Sequence, residues 1–245
     1  MLTQARGRTG VALLFFILVS ALTAERLAAL PPAAGEATTL RRLYGLGQVD
    51  RLHPERTALV LVDFQEEFFS GGLKLPGGRA ALENAARLLR WARESGITVA
   101  HVRNVGANGA RLFAADGPRV DFAPAARPLA GELVITKSMA GGFTKTELDD
   151  QLRRRGVDTI IVSGLMTHLA VDSTVRDGLV LGYRVLLPSD ASASRDLPAV
   201  EGAQGARVLD HRTVHEVSLA ALADRFADVL PTEGVLALPL HDAAR

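Results

Sequence analysis

The chain has 245 residues, 48% of them hydrophobic and 22% charged, which suits one medium α/β domain with ample apolar material for a core. That balance excludes a disordered, collagenous or coiled-coil protein, and a formal charge of +1 gives no electrostatic case for binding nucleic acid. Cysteine is absent, which excludes disulfides, cysteine-ligated zinc, iron–sulfur clusters, a lipoprotein anchor and any thiol nucleophile.

The N-terminal segment reads as a processing signal. Arg6 and Arg8 precede an apolar run over residues 11–24, within which Ala21 and Ala24 offer small residues for cleavage. The run falls short of the roughly 20 residues of a membrane span and suits a secretory signal, with an uncleaved anchor as the alternative. Residues 1–24 are therefore expected to leave as a signal peptide, taking the charge from +1 to −1. The expectation is an exported protein, periplasmic or secreted, with no stable membrane span. Residues 25–56, with Pro31-Pro32, read as a linker and N-terminal arm, residues 57–230 as the domain, and 231–245 as a C-terminal tail.

Within the domain, short β-rich runs alternate with longer amphipathic stretches, the rhythm of a parallel sheet flanked by helices. Strands are predicted over residues 58–62, 98–102, 133–136, 159–163 and 184–187, and helices over 80–95, 145–155, 169–181 and 218–229. Gly96, Gly156 and Gly182 close the first three helices just before a strand, as αβ turns require. The fold class is a three-layer α/β/α sandwich with a mainly parallel, Rossmann-like sheet.

Ligand crevices of such sheets lie beyond the carboxyl ends of the strands. Asp63, followed by Phe64 and Gln65, ends the first strand; Lys137 ends the third, and Asp190 follows the fifth. The fourth strand runs through Gly164, Leu165, Met166, Thr167, His168 and Leu169 to Ala170, a strand-to-helix corner whose backbone N–H groups suit an oxyanion. An isolated Asp is more often a helix cap and an isolated Lys a solvated group. Brought to one crevice they form a partly desolvated pair, and such pairs mark sites.

The ordered segments TALVLVDFQEEFF, AHVRN, ELVITKSMAGGFTKTELDDQL, VSGLMTHLAVDSTVRDGLVLGY and LPSDASASRDLP resemble the isochorismatase-like, or cysteine hydrolase, family over residues 57–229. The resemblance implies the isochorismatase-like hydrolase fold, with Asp63 as acid/base and Lys137 as the cation that orients or stabilises charge. The family's nucleophilic cysteine position is Ala170, the oxyanion-binding N–H groups map to Met166 and Ala170, and a cis peptide is implied between Leu165 and Met166. It also implies a homo-oligomer acting on a small molecule.

A methyl group cannot attack a carbonyl, so Ala170 excludes the acyl-enzyme route for this sequence. Three readings remain. The protein is a hydrolase that needs no thiol, like the isochorismatases proper, which cleave a vinyl ether by protonation and carry a small residue here. Alternatively it is a silent small-molecule-binding pseudoenzyme, or a Cys-to-Ala inactive form of a cysteine amidohydrolase. In the first, Asp63 must hold a proton near neutral pH, which desolvation favours and Lys137 opposes.

Substrate contacts are expected from Gln65, Phe69, Arg103, Asn104, Phe143, Thr167 and His168, with Phe64 and Phe68 as further candidate walls. His101 reads as a strand histidine of the core rather than a pocket wall. His211 and His215 lie four apart without completing a metal motif, and no histidine falls between His53 and His101, where the metal-binding nicotinamidase branch has its ligands. No metal and no organic cofactor are expected.

Overall fold

The computed structural model describes residues 38–200 and 207–241. The signal-peptide reading of residues 1–24 lies outside them. The chain divides into two units, Met1–Gly47 and Gln48–Arg245. In the first, Thr39 caps a one-turn helix, α1 (Leu40–Leu43), accepting a hydrogen bond from the Arg42 N–H. Among the described residues no helix is long and apolar enough to cross a membrane.

The second unit is built on a parallel sheet. Its strands are β1 (Thr57–Val62), β2 (Thr98–Asn104), β3 (Leu133–Lys137), β4 (Thr159–Leu165), β5 (Arg184–Pro188), the two-residue β6 (Ser192–Ala193) and β9 (Asp228–Leu230). They lie in the order β3-β2-β1-β4-β5-β9, with β6 added against the end of β4. The antiparallel pair β7 (Leu197–Pro198) and β8 (Val208–Leu209) stands apart. The helices are α2 (Gly78–Glu94), α3 (Leu148–Arg153), α4 (Asp172–Val180), α5 (His211–Arg225) and α6 (Thr232–Leu236).

Strand alternation divides the core in two. Leu59 and Leu61 of β1 and Ile161 of β4 pack with α2 residues such as Ala85, Leu88 and Leu89. Ala58, Val60 and Val62 point the other way with Ile160 and Val162, towards Leu148, Leu152, Val175 and Leu222 of α3, α4 and α5. Both faces are apolar because both are covered. This is the expected three-layer sandwich.

All five predicted strands form, each longer by one or two residues. Three helix boundaries shift for local reasons. Lys145 adopts φ +56°, which delays α3 to Leu148. The helix read over 169–181 is split into a wide π-type turn (Thr167–Val171) and α4. The helix read over 218–229 is α5, which begins earlier, at His211, and ends at Arg225, where the Phe226 and Ala227 N–H groups both donate to Leu222 O, before β9. The 25–56 arm is only partly an arm: Leu52 is fully buried and bridges to Leu240, and the Val49 N–H donates to Asp228 (2.9 Å). The 231–245 segment likewise contributes α6 to the fold.

The order reverses between β1 and β4, which run side by side with Val62 opposite Gly164. A Cβ on Gly164 would lie 2.3 Å from Val62 O, so no side chain fits without parting the central strands. Gly164→Ala is expected to destabilise the protein by about 2–3 kcal/mol, the scale of overpacking a tight core. A denaturant titration checks this; an unchanged midpoint would show that the strands yield freely.

Candidate active site

The switch point between β1 and β4 places Asp63, the residue after β1, at the crevice. Its backbone is left-handed (φ +57°), a conformation uncommon outside glycine, more open to Asp than to most residues, and one that clusters at active sites. The Asp63 N–H donates to Val102 O at 2.8 Å, which fixes the turn on the neighbouring strand. Lys137 ends β3, two strands away. Crossing two strand spacings is about 10 Å, a distance that requires a long side chain; lysine's stem carries its ammonium over Asn104, the residue paired with it on β2.

The two side chains meet. Lys137 Nζ lies 2.7 Å from Asp63 Oδ2 and also donates to Met139 O at 3.1 Å. Both residues are buried, 3% and 4% exposed, so water screens the pair little. Burial pushes the Asp63 carboxyl up to about 6, against the Lys137 ammonium, which pulls it down. The neighbouring Asn104 N–H donates to Gln65 Oε1 (2.8 Å), and Asp63 Oδ1 has no hydrogen-bond partner among the described residues. The Asn104 N–H beside the carboxyl also favours its charged form, less than burial disfavours it.

The pair opens on a cavity of about 420 Å³, lined also by Asn104, Met166 and Ala170. Most of its remaining wall is apolar: Phe68, Leu73, Leu112, Phe113, Leu165 and Leu169. The Leu165–Met166 peptide is cis, as the family resemblance implies. The π-type turn that follows closes with the Val171 N–H on Met166 O (3.2 Å) and carries Ala170, buried, into the cavity wall. Thr174 latches this turn to the loop after β3: its hydroxyl donates to Ala170 O (2.6 Å) and accepts from the Gly142 N–H (2.9 Å).

Six of the residues read from the sequence thus come together: Asp63, Lys137, Asn104, Met166, Ala170 and the candidate wall Phe68. The other expected substrate contacts do not line this cavity. Gln65 is fully buried and clamps β1 to β2, its amide donating to Asn104 O (2.9 Å) and Val120 O (2.7 Å). Phe69 packs against the core on the α2 side, and Phe68 takes the wall instead. Arg103 turns outward, donating to Thr136 Oγ1 (3.3 Å) over the Phe122 ring. Phe143 stacks on Tyr183 in the opposite core (5.6 Å between centroids).

Thr167 and His168 face away from the cavity, towards α5 and β6. His168 Nδ1 pairs with Ser194 Oγ (3.0 Å), and Thr167 Oγ1 with His215 Nδ1 (2.8 Å). His215 Nε2 lies 3.0 Å from Ser189 O, a carbonyl, so Nε2 carries the proton and the Thr167 hydroxyl donates to Nδ1. Burial lowers the His215 pKa, consistent with this neutral form. His215→Ala would leave the buried Thr167 hydroxyl unpaired and is expected to cost about 1–3 kcal/mol; thermal denaturation of the variant, with a double mutant carrying Thr167→Val, checks it. Full additivity would show the two residues to be uncoupled. His101 is a core residue, paired with Glu132 (2.9 Å).

Glu67 went unread in the sequence. Buried, it accepts from the Gly72 N–H and the Phe113 N–H, tying together the loops that supply Leu73, Leu112 and Phe113 to the wall. Its acidic neighbour in QEEFF was the only signal. Among the described residues, no group of three or more histidines and carboxylates is placed to hold a metal.

A concave, mostly apolar cavity with one convergent charge pair, set at the switch point of a doubly wound sheet, is a small-molecule site of an α/β domain. Residues 57–234 match the isochorismatase domain family. The chain is 34% identical over 182 residues to the uncharacterized isochorismatase family protein YddQ of Bacillus subtilis, covering 74% of this chain and 98% of that protein. It is 31% identical over 179 residues to the secreted isochorismatase effector Isc1 of Verticillium dahliae, covering 73% and 90%. The crystal structure of an isochorismatase from Pseudomonas putida KT2440 superposes with a TM-score of 0.74 at 40% identity, covering 81% of this chain and 99% of that one. The chain belongs to the isochorismatase family of hydrolases.

Proposed function

We propose that this protein hydrolyses the vinyl-ether bond of a small organic molecule by proton transfer from Asp63, without a thiol. The observation that carries this reading is the buried Asp63–Lys137 pair sharing one cavity with the methyl group of Ala170. Covalent amide hydrolysis in the family's manner needs a cysteine thiolate, and the chain has no cysteine, whereas a carboxyl raised to about 6 is poised to give and regain a proton near neutral pH.

In this scheme Asp63 delivers its proton to the outer carbon of the vinyl ether, leaving an oxocarbenium ion. Lys137 stabilises the new carboxylate. Water adds at the carbon bearing the ether oxygen, Asp63 takes a proton from that water, and the hemiketal collapses to a carbonyl compound and an alcohol. The backbone N–H groups of Met166 and Ala170 are the proposed partners of the departing oxygen. Export is part of the proposal, supported by the apolar run at residues 11–24 and by the secreted relative.

Purified protein is tested against vinyl ethers and small amides. Vinyl-ether hydrolysis without amide hydrolysis is the expected result. Ligand-induced thermal shifts without any turnover would instead identify a silent binding protein and end the hydrolase reading.

A further inference from the structure

We propose that Gln65 is a positioning residue of this site. Its carboxamide replaces the peptide group that the Asp63 turn withdraws from the β1–β2 ladder, and by holding the Asn104 N–H it keeps that donor from binding the Asp63 carboxyl.

In a parallel ladder the N–H and C=O of one residue go to two different residues of the neighbouring strand. The Asp63 N–H still donates to Val102 O, and the next rungs would take the Asn104 N–H to Asp63 O and the Gln65 N–H to Asn104 O. The left-handed turn at Asp63 ends that pattern: the Gln65 N–H donates to Asp63 O instead (2.8 Å). Both backbone groups of Asn104 then lose their ladder partners, and the Gln65 side chain supplies them. Its Oε1 accepts from the Asn104 N–H (2.8 Å), while Nε2 donates to Asn104 O (2.9 Å) and to Val120 O (2.7 Å). A carboxamide carries the acceptor and donor of a peptide group, which neither a carboxylate nor an apolar chain does. Gln65 is fully buried, so no water competes for these bonds.

The Asn104 N–H is held where it matters. Lys137 is the only other charged side chain lining the cavity with Asp63. Of the charged neighbours, Glu66 accepts from the Ser70 hydroxyl, Glu67 from the Gly72 and Phe113 N–H groups, and Arg103 turns outward to Thr136. Burial, the Lys137 ammonium and the Asn104 N–H therefore decide how firmly Asp63 keeps its proton. Without Gln65 that N–H would be free for the carboxyl, whose Oδ1 has no partner among the described residues, and would stabilise the carboxylate further. The consequence for catalysis rests on the proposed role of Asp63 as the acid.

The test follows Asp63 by NMR in the full, isotope-labelled chain and needs no substrate. In the wild type a scalar coupling across the hydrogen bond is expected between the Asn104 amide nitrogen and the Gln65 side-chain carbonyl carbon. Coupling to the Asp63 carboxyl carbon instead would overturn the proposal. In Gln65→Met the titration midpoint of Asp63 is expected to fall by about one pH unit, the scale of one hydrogen bond to a charged group. The Asn104 amide proton is expected to move downfield with that titration, far more than in the wild type. An unmoved midpoint would overturn the proposal, as would a lower midpoint that the Asn104 proton does not follow, the result of loosening and water entry alone. Should Gln65→Met fail to fold, the wild-type coupling decides. If no vinyl ether is hydrolysed while the NMR results hold, the hydrolase reading fails and the positioning role stands.

Discussion

Asp63→Asn is expected to lower vinyl-ether turnover by on the order of 10²–10⁴-fold, the scale of one general acid, while ligand binding persists. Asparagine keeps the shape and one carbonyl acceptor for Lys137 but has no proton of suitable acidity to transfer. The wild-type rate should itself report the group. A general acid works in its protonated form, so with the carboxyl at about 6 the rate should be flat below that pH and fall about tenfold per pH unit above it. A rate that rises through the same range would assign Asp63 as a base and overturn the scheme. Folding stability offers a second readout that needs no substrate. The carboxyl moves from 3.8 when free to about 6 in the fold, so the native state holds the proton more tightly. The group's contribution is therefore fully present below about pH 4 and is lost as pH rises through about 6. The stability of wild type relative to Asp63→Asn should decline across that window, and a flat difference would mean that Asp63 titrates normally.

Much of this site was legible in the sequence because strand ends are legible. A β-rich run followed by a lone acid or base places that side chain at the sheet edge, and the order of the runs places Asp63, Lys137 and the Gly164 corner together. Their meeting at 2.7 Å depends on strand order, which puts β2 between them and makes the length of lysine necessary. The cavity wall was less legible. Leu73, Leu112 and Phe113 sit on loops whose paths are set by the buried carboxylate of Glu67, a side-chain-to-backbone bond with no periodic signature. Gln65 and Thr167 were polar residues at the right edge, but each spends its hydrogen bonds within the scaffold, on Val120 O and on His215. Short elements were lost for another reason: three residues of β9 following α5 do not interrupt a helical apolar pattern long enough to announce a strand.

Ala170→Cys should convert the site to thiol chemistry. Residue 170 is 3% exposed and lines the same cavity as Asp63 and Lys137, held there by the Thr174 hydroxyl on its carbonyl. Residue 170 borders both the core and the cavity, so a sulfur in place of one hydrogen has cavity space to occupy and the fold should tolerate it. The Lys137 ammonium across the cavity favours a thiolate, and the Asp63 carboxylate is available to take the thiol proton. Two results are expected. The variant should be alkylated stoichiometrically by iodoacetamide, whereas the wild type has no cysteine to label. Hydrolysis of small neutral amides should rise by on the order of 10²-fold or more over the wild type, the scale supplied by one activated group. Adding Asp63→Asn to this variant should remove the gain, because the thiol then loses its proton acceptor. A thiol that alkylates no faster than free cysteine and yields no amidase would show that the turn bearing residue 170 does not present it to Asp63 and Lys137. A reactive thiol without amide turnover would place the failure in amide binding instead, with the acid–ammonium pair still able to activate sulfur.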